Sequence, residues 1–373
     1  MVNFGFIGLG VIANDYLGLI SDGKVKGLNV TSICAHSEES VKRAVDKFPV
    51  LKNAKCYTDY TAMLNDEDLD AVMVCTPHGQ HPAMTLQALK KGKHVLCEKP
   101  AGIHFSEIDS VKEYLTDHPE LKCGIMYNRR KSKAYRKIKE FMQEGLIGEL
   151  VRATWTITNL YRTDAYYCSS PWRGKWKTEG GGILMTQASH QLDLFQWICG
   201  MPISVISRCS TIDRDIQVEN EAEMFFEFAN GAHGHFIASA HESPGINRLE
   251  ICGTKGRIVI SEDSEVEILR FSQDEREFAK ECPDSFTKVP YSSEHLEFDD
   301  SDNKIQQAAM LENFADAIEK GEALACPYEE GTHSLEMIQA TYLSSWKAKN
   351  CEIPVNRKEF EEEYSAVCKR YEE

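Results

Sequence analysis

A chain of 373 residues is long for a single core and, at about 100–200 residues per domain, predicts two domains. Its 42% hydrophobic content is ordinary for a globular protein, and no run approaches the ~18–20 continuous apolar residues of a membrane span. A net charge of −16 leaves no basic stripe to neutralise phosphates, which excludes a nucleic-acid-binding role. The thirteen cysteines are scattered, odd in number and never in a C-x-x-C pair, the usage of small buried hydrophobes in a reducing compartment. A glycine turn within the first ten residues leaves no room for a secretory signal, so a cytoplasmic protein is expected.

The opening run Val2–Ile7 is apolar and β-prone, and it leads directly into Gly8-x-Gly10-x-x-Ala13. In that order a buried strand feeds a tight turn that opens a helix. Gly8 permits the sharp turn, Gly10 permits close backbone approach, and Ala13 keeps the helix against the sheet. The first helical N–H groups, including those of Val11 and Ile12, then form an anion site for a pyrophosphate. The bland alternative is a tight structural turn.

Residues 14–21 read as a helix and Leu28–Cys34 as the second strand. Dinucleotide-binding units commonly end this strand in an acid that accepts from the adenosine ribose. Here the tip reads Cys34-Ala35-His36-Ser37, with no carboxylate until Glu38. The cofactor is therefore NAD or NADP, with NADP slightly favoured because His36 or Ser37 can meet a 2′-phosphate that no acid repels. His36 reads equally well as a solvated loop histidine.

Helix 39–48, a strand end and short helix at 57–64, and the apolar strand 69–75 follow. That strand ends in Thr76-Pro77-His78-Gly79-Gln80-His81-Pro82, a loop at the carboxyl edge of the sheet where ligands of such folds lie. Thr76, Pro77 and His81 are its candidate cofactor contacts. Helix 82–91, strand 94–97, helix 106–115 and strand 121–126 complete a doubly wound parallel sheet. Beyond Tyr127 a basic helix at 131–144 precedes longer alternating strands at 150–160, 203–213, 221–228, 232–240, 248–253 and 257–261. Such alternation predicts a large, open, mostly antiparallel sheet with one wet face. Residues 180–200 read as one helix, 261–302 as a polar peripheral excursion, and 306–320 and 330–349 as further helices. The tail 358–373 reads as an exposed acidic helix. The expected domains are 1–125, 126–355 and an acidic tail at 356–373.

Lys99 follows a parallel strand's carboxyl end, between Glu98 and Pro100. A lysine there can hold a substrate hydroxyl and stabilise developing alkoxide while hydride leaves its carbon; a surface lysine in a turn is the competing reading. In the segment Gly180-Gly181-Gly182 through Trp197, Thr186 and His190 lie four apart and His190 and Asp193 three apart, sharing a helix face. His190 can act as a base near neutrality with Asp193 orienting its ring, or be a satisfied core histidine. Tyr166, Tyr167, Trp172, Arg173 and Trp176 precede this segment; aromatic faces and a guanidinium suit a sugar ring and an anionic group, or pack the loop. His233-Gly234-His235 lacks a third ligand nearby, so no metal site is expected.

Taken together, the glycine turn, Glu98-Lys99-Pro100, Tyr127-Asn128-x-Arg130, the glycine–histidine segment and Ile251-Cys252-Gly253-Thr254-Lys255-Gly256 resemble the Gfo/Idh/MocA family over residues 1 to about 355. The resemblance implies an N-terminal Rossmann domain and a C-terminal α+β domain whose open sheet makes a homo-oligomer, a dimer or tetramer. It implies hydride transfer between NAD or NADP and a sugar, cyclitol or sugar derivative, and it puts Lys99 and His190 on the family's catalytic positions. Glu98, Lys99 and Asn128 join the candidate cofactor contacts, and Thr186 joins Lys99 and His190 as a candidate catalytic residue. Tyr127, Tyr167, Trp172, Arg173, Thr186 and Gln187 join Lys99 and His190 as candidate substrate contacts. One departure stands out: the family commonly has Asp or Asn four residues before the histidine, and this chain has Thr186. A non-catalytic dinucleotide-binding regulator of the same fold is the alternative function that this departure favours.

Overall fold

The computed structural model describes residues 1–371. It divides into two compact units, one of residues 1–131 with 302–332, the other of 132–301 with the chain from 333 onward.

The first unit carries six parallel strands: β1 (Val2–Ile7), β2 (Leu28–Cys34), β3 (Lys55–Tyr57), β4 (Ala71–Val74), β5 (His94–Cys97) and β6 (Cys123–Ile125). Their order, β3-β2-β1-β4-β5-β6, is that of a dinucleotide-binding sheet. All four residues of β4 are buried, as a strand with both faces covered by helices requires. The order reverses direction between β1 and β4, where Ile7 pairs with Cys34 on one side and Val74 on the other. The strand ends at this switch point carry the opening glycine turn.

Segment 302–332, expected in the C-terminal domain, instead packs on this first unit. Phe314 from helix Asn303–Glu319 meets Phe4 edge-on at 6.1 Å, and the Ile125 N–H donates to the Cys326 carbonyl at 3.0 Å. Local periodicity gives the helix but carries no information about which core its apolar side joins.

The second unit contains β7 (Leu150–Ile157), β8 (Ser204–Ser210), β9 (Glu221–Glu227), β10 (His233–Ser239), β11 (Asn247–Gly253), β12 (Gly256–Ser261), β13 (Glu265–Phe271), β14 (Tyr291–Glu297) and β15 (Cys351–Glu352). They form one nine-stranded sheet in the order β14-β13-β12-β11-β7-β10-β9-β8-β15. Only the β7–β10 pair is parallel, so the expected fold class holds. The region 261–302 is not an excursion: it supplies β13, helix Glu275–Glu281 and β14. Strand β13 buries Val266, Ile268 and Leu269, whereas β14 is the exposed edge, and its charges blunt that edge against further pairing. Those charges are what made the stretch read as loop.

Phe195 of helix Ser189–Cys199 centres the core, with ring centroids 5.9 Å from Phe226 and 5.8 Å from Phe236. The C-terminal helix Arg357–Arg370, expected to be acidic, carries as many basic as acidic residues and buries Phe360, Tyr364 and Val367. Phe360 stacks on Trp346 at 5.8 Å, and the Tyr364 hydroxyl donates to the Trp176 carbonyl at 2.5 Å. Glu372 and Glu373, the end of the expected acidic tail, lie outside the described residues. Among the described residues no helix is long and apolar enough to cross a membrane, and the thirteen cysteines form no disulfide.

Phe195→Ala removes a fully buried ring from the centre of this core and is expected to cost about 3–5 kcal/mol. Urea unfolding checks it; a loss below about 1 kcal/mol contradicts the central packing role assigned to Phe195.

Candidate active site

In the first unit the opening turn is fixed by strand ends. The Gly8 N–H donates to the Cys34 carbonyl at 2.9 Å, and the Cys75 N–H donates to the Ile7 carbonyl at 2.8 Å. Gly8 has φ +93°, and a Cβ on it would stand 2.5 Å from the Cys75 oxygen, so no other residue fits. Gly10 is a different case. It N-caps helix Val11–Ser21 with φ −74° and ψ −168°, which any residue can adopt, and a Cβ on it would meet nothing within 4 Å. The fold itself does not demand glycine there. The first-turn N–H groups lack intrahelical acceptors, and the open space above them is a cradle with the chemistry to hold an anion. Ala13 is fully buried against the sheet, while Val11 is 84% exposed beside the cradle.

At the tip of β2, Ala35 is buried and its N–H donates to the Tyr57 carbonyl at 3.2 Å. His36 is exposed. Ser37 caps helix Glu38–Lys47, accepting from the Ser40 N–H at 3.3 Å. Arg43 of the same helix donates to the Ser40 hydroxyl at 3.1 Å, which places a cation two turns into the helix that Ser37 caps. Sequence reading missed Arg43. Its spacing of three from Ser40 was the available signal.

The ends of β4 and β5 are tied by His81. Its Nδ1 lies 2.7 Å from the Pro100 carbonyl and its Nε2 lies 2.7 Å from the Thr76 carbonyl. Burial lowers the pKa of this imidazole below its usual value, Lys99 adds to that, and the two carbonyls oppose it. His81 thus joins the loop after β4 to the turn that carries Lys99. Thr76 and Lys99 are half-buried, and Pro77 is exposed. Glu98 points into the core, where its carboxylate accepts from the Tyr16 hydroxyl and, at 3.2 Å, from the Lys99 N–H. Burial pushes the Glu98 carboxyl up, and the Tyr16 bond works against that. Its side chain anchors the Lys99 peptide from within.

Tyr127 is 1% exposed, and Asn128 is buried with its amide donating to Asn303 Oδ1 at 2.6 Å. Nearby Arg130, fully buried, pairs with Glu330 at 2.5 Å. This motif binds the 302–332 segment to the first unit.

In the second unit the three glycines are dictated by what lies against them. Gly180 ends helix Trp176–Glu179 at φ 84°. A Cβ on Gly181 would overlap the Tyr342 hydroxyl, and one on Gly182 would overlap the Glu219 carbonyl. The single helix expected over 180–200 is broken into Ile183–Thr186 and Ser189–Cys199. Thr186 and His190 therefore do not share the face of one continuous helix. Tight bonding at the break, with the Ala188 N–H on the Ile183 carbonyl at 2.8 Å, ends the first segment.

The Thr186 hydroxyl lies 2.8 Å from the Gly182 carbonyl and 2.5 Å from Gln187 Oε1. Gln187 Nε2 donates to the Tyr166 hydroxyl at 2.7 Å, and Arg173 Nη1 donates to the same oxygen at 2.5 Å. The guanidinium also lies over the rings of Tyr166 and Trp172, at 4.3 and 4.5 Å. Thr186, Gln187, Tyr166 and Arg173 thus form one polar chain walled by aromatic rings. Burial pushes the Tyr166 hydroxyl up, against the pull of Arg173. Tyr167 meets Tyr166 edge-on at 5.1 Å, and burial pushes its hydroxyl up to about 12. Of the two tyrosines on helix Asp164–Cys168 to which the sequence points, Tyr166 is the one whose hydroxyl joins the polar chain. His190 is half-buried one residue into its helix. Asp193 is fully buried and accepts from Gln196 Nε2 at 3.2 Å. His233 and His235 flank the Phe225 ring at 5.0 and 4.9 Å.

Comparison with known proteins supplies context. A family model described as an oxidoreductase family with an NAD-binding Rossmann fold matches residues 2–124, and the model of the GFO/IDH/MocA C-terminal domain matches residues 135–259. Over 256 residues, 67% of this chain and 74% of its relative, the sequence is 25% identical to myo-inositol 2-dehydrogenase of Thermotoga maritima. The WlbA dehydrogenase of Bordetella pertussis, solved with NADH and UDP-GlcNAcA, shares the fold at TM-score 0.77 and 21% identity, covering 95% of this chain and 99% of that one. A levoglucosan dehydrogenase solved with NADH and L-sorbose does so at TM-score 0.80 and 20% identity, covering 95% and 99%.

The contrast between the two opening glycines gives a test. Gly10→Ala is expected to keep the melting temperature within about 2 °C, a change of well under 1 kcal/mol, while weakening NADH binding at least about tenfold. Gly8→Ala is expected to destabilise the protein. Unchanged NADH affinity in Gly10→Ala, by fluorescence titration, removes the pyrophosphate assignment.

Proposed function

The chain belongs to the Gfo/Idh/MocA family of oxidoreductases, with an NAD-binding Rossmann fold in its first unit, and on that premise we propose that it transfers hydride between nicotinamide and a hydroxyl-bearing carbon of a sugar, cyclitol or sugar derivative. The observation that carries this reading is the pairing, on one sheet edge, of the open cradle at Gly10 with Lys99, whose turn is held by His81 and Glu98. The nicotinamide, when bound, supplies the hydride acceptor or donor. Lys99 holds the reacting hydroxyl and takes or returns its proton as the carbon changes oxidation state. His190, half-exposed on the second unit, serves as a further acid or base. Thr186 positions a substrate hydroxyl as a neutral partner, since threonine takes no proton at neutral pH. Gln187 extends that contact, and Arg173 with Trp172, Tyr166 and Tyr167 offers a cationic, aromatic surface to a sugar ring bearing a carboxylate or phosphate.

For the cofactor, Thr76, Pro77, Ser37 and His36 line the strand ends, and no acid at Ala35 repels a 2′-phosphate. Arg43 beside Ser40 strengthens the reading that NADP is accepted along with NAD. We also propose a homo-oligomer built through the open sheet, because the outer side of β8, β9 and β10 presents Ile206, Phe225 and Ile237 along a shallow groove. Sedimentation velocity tests that. Thirteen cysteines outside any disulfide suit a reducing, cytoplasmic setting. A dinucleotide-binding regulator remains the second reading, favoured by Thr186 alone.

Binding of NADH and NADPH, followed by nicotinamide absorbance with myo-inositol, levoglucosan and UDP-N-acetylglucosaminuronic acid, tests the proposal. Turnover of one of these is expected. Lys99→Met is then expected to lower kcat by about 10²–10⁴-fold with cofactor affinity retained. A variant that turns over like the wild type excludes Lys99 from catalysis.

A further inference from the structure

Glu219 lies in the segment leading into β9, and its carboxylate is wholly buried. Its Oε2 accepts from the Gly182 N–H at 2.8 Å; its Oε1 accepts from the Leu184 N–H at 3.1 Å and from the Tyr342 hydroxyl at 2.8 Å. The Glu219 backbone carbonyl takes the intervening Ile183 N–H at 3.0 Å. One residue therefore satisfies three consecutive N–H groups, those of Gly182, Ile183 and Leu184, at the start of helix Ile183–Thr186. Asn220 locks the strand behind it, its side chain bridging both the N–H and the carbonyl of Ile212 at 2.7 Å. The other end of the Gly182 peptide, its carbonyl, lies 2.8 Å from the Thr186 hydroxyl.

We propose that Glu219 is a positioning residue, whose buried carboxyl fixes the Gly182–Leu184 turn and, through the backbone of Gly182, sets where Thr186 and Gln187 meet the substrate. This rests on the functional reading above for the substrate, but not for the clasp itself.

All three side-chain partners present a donor, and a protonated carboxyl would turn its own O–H toward one of them. Yet no lysine, arginine or histidine pairs with Glu219 among the described residues. The ionisable groups facing it are acids: Tyr342 on helix His333–Lys347, Cys209 on β8 and Tyr167 on helix Asp164–Cys168, with Glu179 acting on Tyr342 alongside it. Arg173 is turned to Glu179, 3.7 Å away. Burial raises the Glu219 carboxyl to about 7, with the Tyr342 bond the largest influence holding it down. A carboxyl raised in the folded state binds its proton more tightly there than in the opened or unfolded chain, so its contribution to the stability of the turn is present at low pH and is lost as pH rises from the unfolded value through about 7.

Hydrogen exchange of the whole protein, read on peptides covering residues 180–188 and corrected for intrinsic pH dependence, tests this without any substrate. Below the midpoint near 7, the excess protection of Gly182 and Leu184 in the wild type is expected to rise as pH falls, by up to about tenfold per unit, because the closed turn holds the Glu219 proton more tightly than the opened one. Tyr342→Phe removes a bond to the carboxylate and is expected to move that midpoint up. Glu219→Gln is expected to show weak protection at every pH, with NADH binding kept as the check that the protein is folded. Wild-type protection that does not change with pH, or a midpoint unmoved in Tyr342→Phe, overturns the proposal. Failure of every sugar to react would instead count against the functional reading and leave these exchange results standing.

Discussion

Both halves of this protein depend on places where a Cβ has no room. At Gly8 the backbone turns at φ +93° under the Cys75 carbonyl, and at Gly181 and Gly182 it passes against Tyr342 and Glu219. A side chain at either turn would push a strand end away from the loop it holds. The first turn puts helix N–H groups at the sheet's switch point. The second puts a short helix, and with it Thr186, at the mouth of the polar chain leading to Arg173. Gly10 differs in kind: nothing in the protein crowds it, so its missing side chain leaves space for a ligand.

Around these turns, buried polar groups do the fixing. His81 binds two carbonyls from different strand ends, Glu98 engages Tyr16 and the Lys99 peptide, and Glu219 gathers four donors. Each lies one step behind a candidate reacting or binding residue. Buried groups with satisfied hydrogen bonds hold geometry more narrowly than apolar packing, because an unmet donor or acceptor costs about 1–3 kcal/mol. Lys99 and Thr186 themselves stay half-buried.

Thr186 changes the chemistry available. An Asp at this position would bring a negative charge to a substrate hydroxyl; threonine brings a single donor already shared between the Gly182 carbonyl and Gln187. Threonine takes no proton at neutral pH, so Thr186 can orient a hydroxyl but cannot accept its proton.

The sequence alone determined much of the architecture. Continuous apolar runs at β1, β4 and β5, punctuated by glycine and proline, could only be buried parallel strands, and period-two alternation from residue 150 onward meant an antiparallel sheet. These are local signals, set by which side of a strand meets water. The motifs around Gly8, Lys99 and His190 were equally local and pointed to the family. Tertiary structure decided what depends on distant partners. The break between Thr186 and Ser189 and the capture of the turn by Glu219 and Tyr342 required chain segments 37 and 123 residues apart in sequence to meet. So did the return of Phe314 to Phe4, the bond from Gln187 to the Tyr166 hydroxyl, and the pairing of the charged strand β14 with β13. Periodicity says that a residue has a buried side; only packing says which residue it is buried against, and the functional chemistry of this chain lies in those pairings.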